Sequence, residues 1–267
     1  MANGIEAVFA RTLLGDYDDD APWTAVRELQ QLATREVLER AAEWCRSPDP
    51  LKRARGADVL AQLGRTPDDP ATKYRKESYE VIFTMTITEK DLVPLRSAIH
   101  ALGHLGDPRA VPVLSLYENH PDAEIRFALA CALGNFTEHA RAIDVLVQLT
   151  RDEDEEVRDW ATFGIGSLAK SDSPAIRDAL MERLDDPFEE AREEAIAGLA
   201  RLKDARVAPA LLSALERPDV PEIMIEAALE LLGFSESPGE WTADKCVAEL
   251  RRRYGGVKQG SGVRSQG

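Results

Sequence analysis

The side chains of this chain that could carry out acid–base or metal chemistry are few. It has four histidines and three cysteines. His100 and His104 stand four residues apart in an apolar stretch, a spacing that places both imidazoles on one face of a helix. Such a pair can ligate a metal ion, but no His-Glu-x-x-His motif and no evident third ligand accompanies it. We therefore interpret the pair as exposed helix histidines and predict no metal, no cofactor and no catalytic residues.

The remaining motifs also argue against an enzyme. Cys45, Cys131 and Cys246 lie far apart in helical patterns without a CxxC, as expected for reduced thiols of a cytoplasmic protein. There is no GxSxG, and no P-loop or GxGxxG with the flanks that it requires. The N-terminus lacks a signal-peptide pattern, and no stretch approaches the ~18 apolar residues of a membrane span. We expect a non-enzymatic cytoplasmic protein without a membrane partner.

The charge limits the class of partner. The formal net charge is −15, and a surface this acidic repels phosphate backbones. Nucleic-acid binding is therefore not expected, whereas a basic protein partner is compatible. The charge is equally compatible with a role in solubility alone.

A short pattern recurs along the chain and defines its elements. A Gly or Ala at the end of an apolar helical stretch recurs at intervals of 42, 31, 32, 34 and 33 residues, at Ala61, Gly103, Gly134, Gly166, Ala200 and Gly233. A repeat period near 33 residues is typical of helical solenoids. We expect the small residues to let neighbouring helices approach closely.

Polar residues recur at fixed positions in most of the repeats. Eight residues before the small residue stands an arginine in four copies, Arg53, Arg126, Arg158 and Arg192. Four residues earlier stands an aspartate in four copies, Asp49, Asp91, Asp122 and Asp154. The aspartate can cap a helix N-terminus. The arginine can bond that aspartate or its counterpart in the next repeat.

These units resemble HEAT repeats, in particular the short bacterial type named after phycobilisome lyases. The segments that carry the resemblance are DAEIRFALACALG, DEEVRDWATFGIGSL and ALGHLGDPRAVPVL. The resemblance implies an all-α fold, a right-handed α-α superhelix of about six repeats, with an outer helix A and an inner helix B in each. The implied B helices are 50–64, 91–105, 122–135, 154–168, 188–202 and 220–233, and the A helices begin near 34, 71, 108, 139, 174 and 205.

The ends and one interruption need separate interpretation. VIFTMTIT at 81–88 has the composition of a strand, but the repeat requires an A helix there, which we favour. A solenoid must also cover its terminal apolar layers. The predicted domains are N-terminal capping helices over 1–33, repeats over 34–235, a C-terminal capping helix over 236–254 and a disordered tail over 255–267.

The candidate binding residues follow from the helix register. Positions one, five and nine after the arginine site should point outward from each B helix, onto a concave face. Aromatic and imidazole side chains collect there in the middle repeats. The predicted partner-binding residues are Arg96, His100, His104, Phe127, Asn135, Asp159, Trp160 and Phe163. The alternative is a register shifted by one, which places Phe127, Trp160 and Phe163 in the core.

The layout of the whole chain resembles a bacterial HEAT-repeat group more closely still, through CRSPDPLKRARGADVLAQLG, VRDWATFGIG and EEAIAGLARLKDARV. That group includes an immunity protein encoded beside an Rhs-element toxin. The resemblance implies a monomeric cytoplasmic antidote that binds a cognate toxin. An accessory subunit that holds a cofactor or client enzyme, and a general scaffold, stay open as alternatives. HEAT-like hydroxylases are excluded because no His-Glu dipeptide occurs, and HEAT-like DNA glycosylases because the chain is acidic.

Overall fold

The computed structural model describes residues 2–65, 73–234 and 241–255. Within these ranges every regular element is helical and none is a strand. The chain divides into two compact units, Met1–Leu149 and Thr150–Gly267. The predicted all-α fold is confirmed.

The first unit places three B helices side by side. Its described helices are α1 (Ala2–Arg11), α2 (Asp20–Leu32), α3 (Arg35–Trp44), α4 (Pro50–Ala61), α5 (Arg75–Thr88), α6 (Leu92–Leu105), α7 (Val111–Leu114), α8 (Ala123–Leu133) and α9 (Ala140–Leu149). The B helices α4, α6 and α8 pack in series, and α3, α5 and α9 pack on them as A helices. The VIFTMTIT segment lies within α5, which confirms the helical interpretation.

The second unit repeats this arrangement. Its described helices are α10 (Glu155–Phe163), α11 (Pro174–Arg183), α12 (Glu189–Arg201), α13 (Ala208–Leu215), α14 (Glu222–Leu232) and α15 (Ala243–Tyr254). One π-helical turn, Gly164–Leu168, extends α10. The B helix α12 packs between α10 and α14, and α15 packs on α13 and α14. Residues 235–240 and 256–267, where the start of the C-terminal cap and nearly all of the tail were predicted, lie outside the described residues.

An aspartate stands at the N-cap position of four of the six B helices, as predicted. The carboxylates of Asp49, Asp122 and Asp154 accept backbone N–H groups of their own first turns. Asp91 is different because its side chain makes no cap hydrogen bond. Its Oδ2 instead accepts from Nη2 of Arg53, in the preceding repeat, at 2.6 Å.

The repeat arginines Arg53 and Arg158 bond forward to the next repeat. Arg158 Nε and Nη2 donate to the two carboxylate oxygens of Asp186 at 2.8 and 2.9 Å. Arg158 Nη1 also donates to the carbonyl oxygens of Asp152 and Glu153. The side chain of Asp186 is completely buried, so this bidentate pair is a buried tie between consecutive repeats.

Replacing Arg158 by Ala should destabilise the protein by about 3 kcal/mol, because it leaves a buried carboxylate with only Arg183 as a charged partner. Burial alone would raise the pKa of Asp186, but the Arg158 guanidinium and the Phe188 N–H hold it below its usual range. The stabilisation is therefore present above about pH 4 and is lost as the pH falls further. Urea unfolding at pH 7 and at pH 3 should show a smaller pH effect in the variant. Arg151→Ala removes an exposed pair with Glu182 and should cost below ~1 kcal/mol; equal losses in the two variants would contradict the role of the tie.

Two of the small marker residues, Gly103 and Gly166, lie at close contacts between neighbouring B helices. A Cβ on Gly103 would lie 2.7 Å from Cα of Ala132 in the neighbouring B helix. A Cβ on Gly198 would lie 2.6 Å from Cα of Gly166. Gly233 departs from the prediction, since it has φ +76°, has open space around its Cβ position and ends α14 as a left-handed cap.

Gly103→Ala should cost about 1–3 kcal/mol, because the added methyl group overpacks the contact between α6 and α8. Gly4 is a helical glycine with nothing within 4 Å of its Cβ position, so Gly4→Ala should instead stabilise by about 0.5–1 kcal/mol. Thermal unfolding of both variants measures the difference. A Gly103→Ala protein as stable as the parent would refute the packing role.

Candidate functional site

Four of the predicted binding residues line one pocket in the first unit. Arg96, His100 and His104 lie along α6 and Phe127 lies on α8. The opposite wall is formed by α2, α4 and the segment that joins α1 to α2. The cavity encloses about 300 Å³, and we call it the Tyr17 pocket after the side chain that closes it.

The floor of the Tyr17 pocket is a buried polar network. The Tyr17 hydroxyl donates to Asp58 Oδ2 at 2.8 Å and lies 2.7 Å from Ser97 Oγ. Arg55 Nη1 donates to the same carboxylate at 3.3 Å, and Gln30 Nε2 donates to the Asp58 carbonyl oxygen. Asp58 therefore joins α4 to α2 and to the segment before α2, and the Tyr17 hydroxyl connects this network to Ser97 in α6.

Arg55 fixes the segment before α2 over the B helices. Its guanidinium donates to the carbonyl oxygens of Thr12 and Tyr17 at 2.9 and 2.7 Å. The same group lies over the rings of Tyr17 and Trp23, 4.1 and 5.1 Å from their centroids. The outward positions expected on α4 are therefore covered, and Asp58 is only 7% exposed, because the N-terminal segment packs across them.

Burial shifts the pKa values of the titratable side chains that line the pocket. Burial raises the pKa of Asp58 to about 6 against the opposing effect of Tyr17 and Arg55. Burial, with the nearby charges of His104 and Arg96, lowers the pKa of His100 to about 4, and burial lowers that of His104 as well. Both imidazoles are neutral at pH 7, so each offers one N–H donor and one acceptor nitrogen.

This chemistry suits recognition. Arg96 is paired with Glu124 at 3.0 Å, and the half-buried ring of Phe127 faces the cavity beside the imidazoles. Across the described ranges, no three His, Cys, Asp or Glu side chains come together in a geometry that could hold a metal ion. The pocket can stack a planar group and exchange neutral hydrogen bonds with it.

Tyr17→Phe should destabilise the protein by about 1–3 kcal/mol, because it leaves the buried carboxylate of Asp58 short of a donor. The pKa of Asp58 should also rise further above 6, so the loss of stability should shrink as the pH falls toward 5. Chemical unfolding at pH 5 and 7 measures both effects. Tyr254→Phe is the matched control, since that hydroxyl makes a single 3.4 Å contact to a carbonyl oxygen; an equal effect of the two changes would count against the network.

Three further predicted residues share α10 in the second unit. Trp160 and Phe163 meet edge to face with ring centroids 5.8 Å apart, and Trp160 is 41% exposed. Asp159 stands beside Trp160, and its Oδ1 is buried without a hydrogen-bond partner in the described structure. The neighbouring B helix α12 contributes Glu190 and Glu194. We call these five residues the acidic–aromatic patch.

Asn135 belongs to neither arrangement. It is exposed, and its amide donates to the carbonyl oxygens of Cys131 and Ala132 at the end of its own helix. Phe127 and Phe163 are half-buried and Trp160 is exposed, so none of the three predicted aromatic residues belongs to the fully buried core.

Sequence reasoning missed the residues that build the pocket floor, namely Tyr17, Arg55, Asp58 and Ser97. The register rule places Asp58, five residues after Arg53, among the outward positions, and the repeat pattern assigns no role to the acidic GDYDDD segment that contains Tyr17. A signal was present at Arg55, a charged residue two positions after Arg53 and therefore outside the outward positions of the register. The partners of Arg55 and Asp58 stand 38 to 43 residues away in the chain.

The pairwise stacking of helices and their repeating caps define an α-helical repeat protein. The model for HEAT repeats matches residues 85–166 and 163–233, more than half of the chain. The chain belongs to the HEAT-repeat family.

Relatives resemble the chain over most of its length. Protein YibA of Escherichia coli K12 is 29% identical over 225 residues, which span 82% of this chain and 78% of YibA. The X-ray structure of the E. coli YibA protein superposes with a TM-score of 0.72 at 25% identity, over 94% of this chain and 92% of that one. An engineered protein gives a TM-score of 0.53 at 20% identity, over 93% and 72%, which concerns the fold alone. None of the helices in the described ranges has the length and apolar character needed to cross a membrane.

Proposed function

We propose that this chain is a non-enzymatic protein-binding module that recognises a basic partner protein through the outward side of its B helices. The observation that carries the proposal is the acidic–aromatic patch, where the exposed ring of Trp160 lies beside a carboxylate with a buried, unbonded oxygen. Tryptophan is enriched among the residues that dominate binding energy. Buried polar atoms are nearly always hydrogen-bonded. The unbonded Asp159 oxygen therefore supports a donor that a partner supplies.

The charge of the chain supports a basic partner. A net charge of −15 accelerates encounter with a positively charged protein and repels an acidic one. The Tyr17 pocket offers a second recognition element with neutral donors and acceptors. In the Tyr17 pocket the Ser97 hydroxyl and the Asp58 carboxylate are both engaged with Tyr17, which favours binding over catalysis.

In its most specific form, the proposal is a monomeric cytoplasmic immunity protein that binds and neutralises a cognate polymorphic toxin. Its support is the resemblance of the chain's layout to the bacterial HEAT-repeat group that contains an Rhs immunity protein. The acidic charge also complements toxins with basic domains.

The second candidate function is an accessory subunit that holds a small ligand or client enzyme. The observation that favours it is the Tyr17 pocket, whose volume of about 300 Å³ lies at the lower end of the range for small-molecule sites. A general assembly scaffold would use the same B-helix side with several weaker partners.

The test is a tagged pull-down from the native host at low and moderate salt, followed by mass spectrometry and reconstitution with purified proteins. One stoichiometric partner with a basic toxin-like domain, neutralised on binding, supports the immunity protein. Many weak, salt-sensitive partners support the scaffold. A retained chromophore or other small ligand without a protein overturns the first proposal in favour of the second.

Trp160→Ala should weaken binding of the reconstituted partner at least tenfold, about 1.4 kcal/mol, and should leave the Tm nearly unchanged because the ring is already 41% exposed. Calorimetry and thermal unfolding measure the two effects. Leu116→Ala is the control, since Leu116 is 75% exposed and lies off the B helices, in the turn after α7. A large fall in Tm with unchanged affinity would show that Trp160 has a structural role only.

A further inference from the structure

The carboxylate of Asp159 in the second unit has no ion-pair partner among the described residues. Asp159 Oδ1 is buried and makes no hydrogen bond within the described ranges. Burial, together with the charges of Glu190, Glu156 and Asp186, raises the pKa of Asp159 to about 6. Burial and the charge of Asp159 likewise raise the pKa of Glu194, although Ser167 Oγ lies 3.0 Å from its carboxylate.

The arginines of the surrounding helices are bonded elsewhere. Arg158 is held by Asp186, and Arg192 donates to the carbonyl oxygens of Asp186 and Pro187. Arg201 Nε donates to the carbonyl oxygen of Gly166, while its Nη2 is buried and makes no hydrogen bond within the described ranges. Among the described residues no cation lies within ion-pair distance of Asp159, so a positive charge supplied by a partner would stabilise its ionised form.

An aromatic surface adjoins the same carboxylate. Trp160 follows Asp159 directly and exposes 41% of its area, and the Phe163 ring packs against it edge to face. A guanidinium is planar, stacks on a tryptophan face and donates several hydrogen bonds at once, whereas an ammonium is a compact, strongly hydrated charge. The combination of carboxylates and an exposed indole matches arginine better than lysine.

We infer that the acidic–aromatic patch is the receptor for an arginine side chain of the partner protein, with Asp159 accepting its N–H groups and Trp160 stacking on its plane. The inference rests on the proposed function, for which it specifies the chemistry of the partner's contact. Glu190 and Glu194 add negative potential around the bound guanidinium.

Electrostatic repulsion around the ionised Asp159 should destabilise the free protein. Because the pKa of Asp159 is raised in the folded state, the folded chain binds more protons than the unfolded chain between about pH 4 and 6, and its stability falls as the pH rises through that window. A neutral side chain removes the repulsion. Asp159→Asn should therefore raise the Tm of the free protein at pH 7 while weakening arginine binding, a combination that a purely structural carboxylate would not produce.

The experiment uses the full chain and two capped tetrapeptides, Gly-Arg-Arg-Gly and the same peptide with citrulline for arginine, followed by NMR. The arginine peptide should shift the Trp160 indole signal, assigned by its loss in Trp160→Phe, and should saturate; citrulline has a similar shape without the charge and should not. Asp159→Asn should reduce the affinity at least fivefold. Asp219→Asn is the control of equal charge change in an exposed loop of the same unit and should have little effect.

The pH dependence provides a second readout. Arginine binding holds Asp159 ionised, so affinity should fall about tenfold between pH 7 and pH 5 in the parent, as proton linkage to a group with a pKa near 6 requires. The fall should be much smaller in Asp159→Asn.

The possible outcomes separate the inference from the proposed function. Equal shifts with both peptides, or an unchanged affinity in Asp159→Asn, overturn the arginine receptor and leave protein binding to the pull-down. Arginine-specific binding at Trp160 supports the receptor, even where the pull-down returns no stoichiometric partner and the proposed function fails.

Discussion

The structure depends first on the arginine that stands one turn inside a B helix and bonds the aspartate at the beginning of the next. Arg53 with Asp91 in the first unit, and Arg158 with Asp186 in the second, tie the start of one B helix to the start of its neighbour. The contact of Arg53 is through one nitrogen and that of Arg158 is bidentate. A charged contact of this kind has a narrow range of geometry, so it sets the register between consecutive helices. The close contacts at Gly103 and Gly198 are compatible with that register, because they allow the backbones to approach. Since consecutive B helices are held in register within each unit, their outward positions collect on one side.

The two candidate surfaces differ in how far their polar groups are satisfied. In the Tyr17 pocket the buried carboxylate of Asp58 is bonded by tyrosine and arginine, and the N-terminal segment covers it. In the acidic–aromatic patch the carboxylate of Asp159 has no such partner and an aromatic ring stays exposed beside it. A satisfied network stabilises and positions a cavity, whereas an unsatisfied buried charge costs stability and is retained where a ligand relieves it. This contrast is why we assign the charged contact of the partner to the second unit and neutral recognition to the first.

The excess of negative charge is visible in individual contacts as well as in the net charge of the chain. Many arginines are already engaged in holding helices together through carboxylates and helix-end carbonyl oxygens, as Arg158 and Arg177 do. Cations that are bonded internally contribute little to an attractive surface for phosphate. The carboxylates in excess of these ties are the groups that the basic partner proposed above would meet, which connects the composition of the chain to the proposed function.

The amino-acid sequence by itself determined the helical repeat, the six B helices and most of their aspartate caps. These are local features, set within about a dozen residues by helix periodicity and capping, and repetition makes them easy to recognise. It also indicated the outward register, in which Arg96, His100, His104 and Phe127 were expected together. Only the tertiary structure showed that Tyr17 closes their pocket, because its partners Asp58 and Ser97 are 41 and 80 residues away and no periodic pattern links them. The unbonded state of Asp159 Oδ1 was likewise decided by packing, since a side chain that the sequence places at an outward position becomes half-buried when α12 lies against α10.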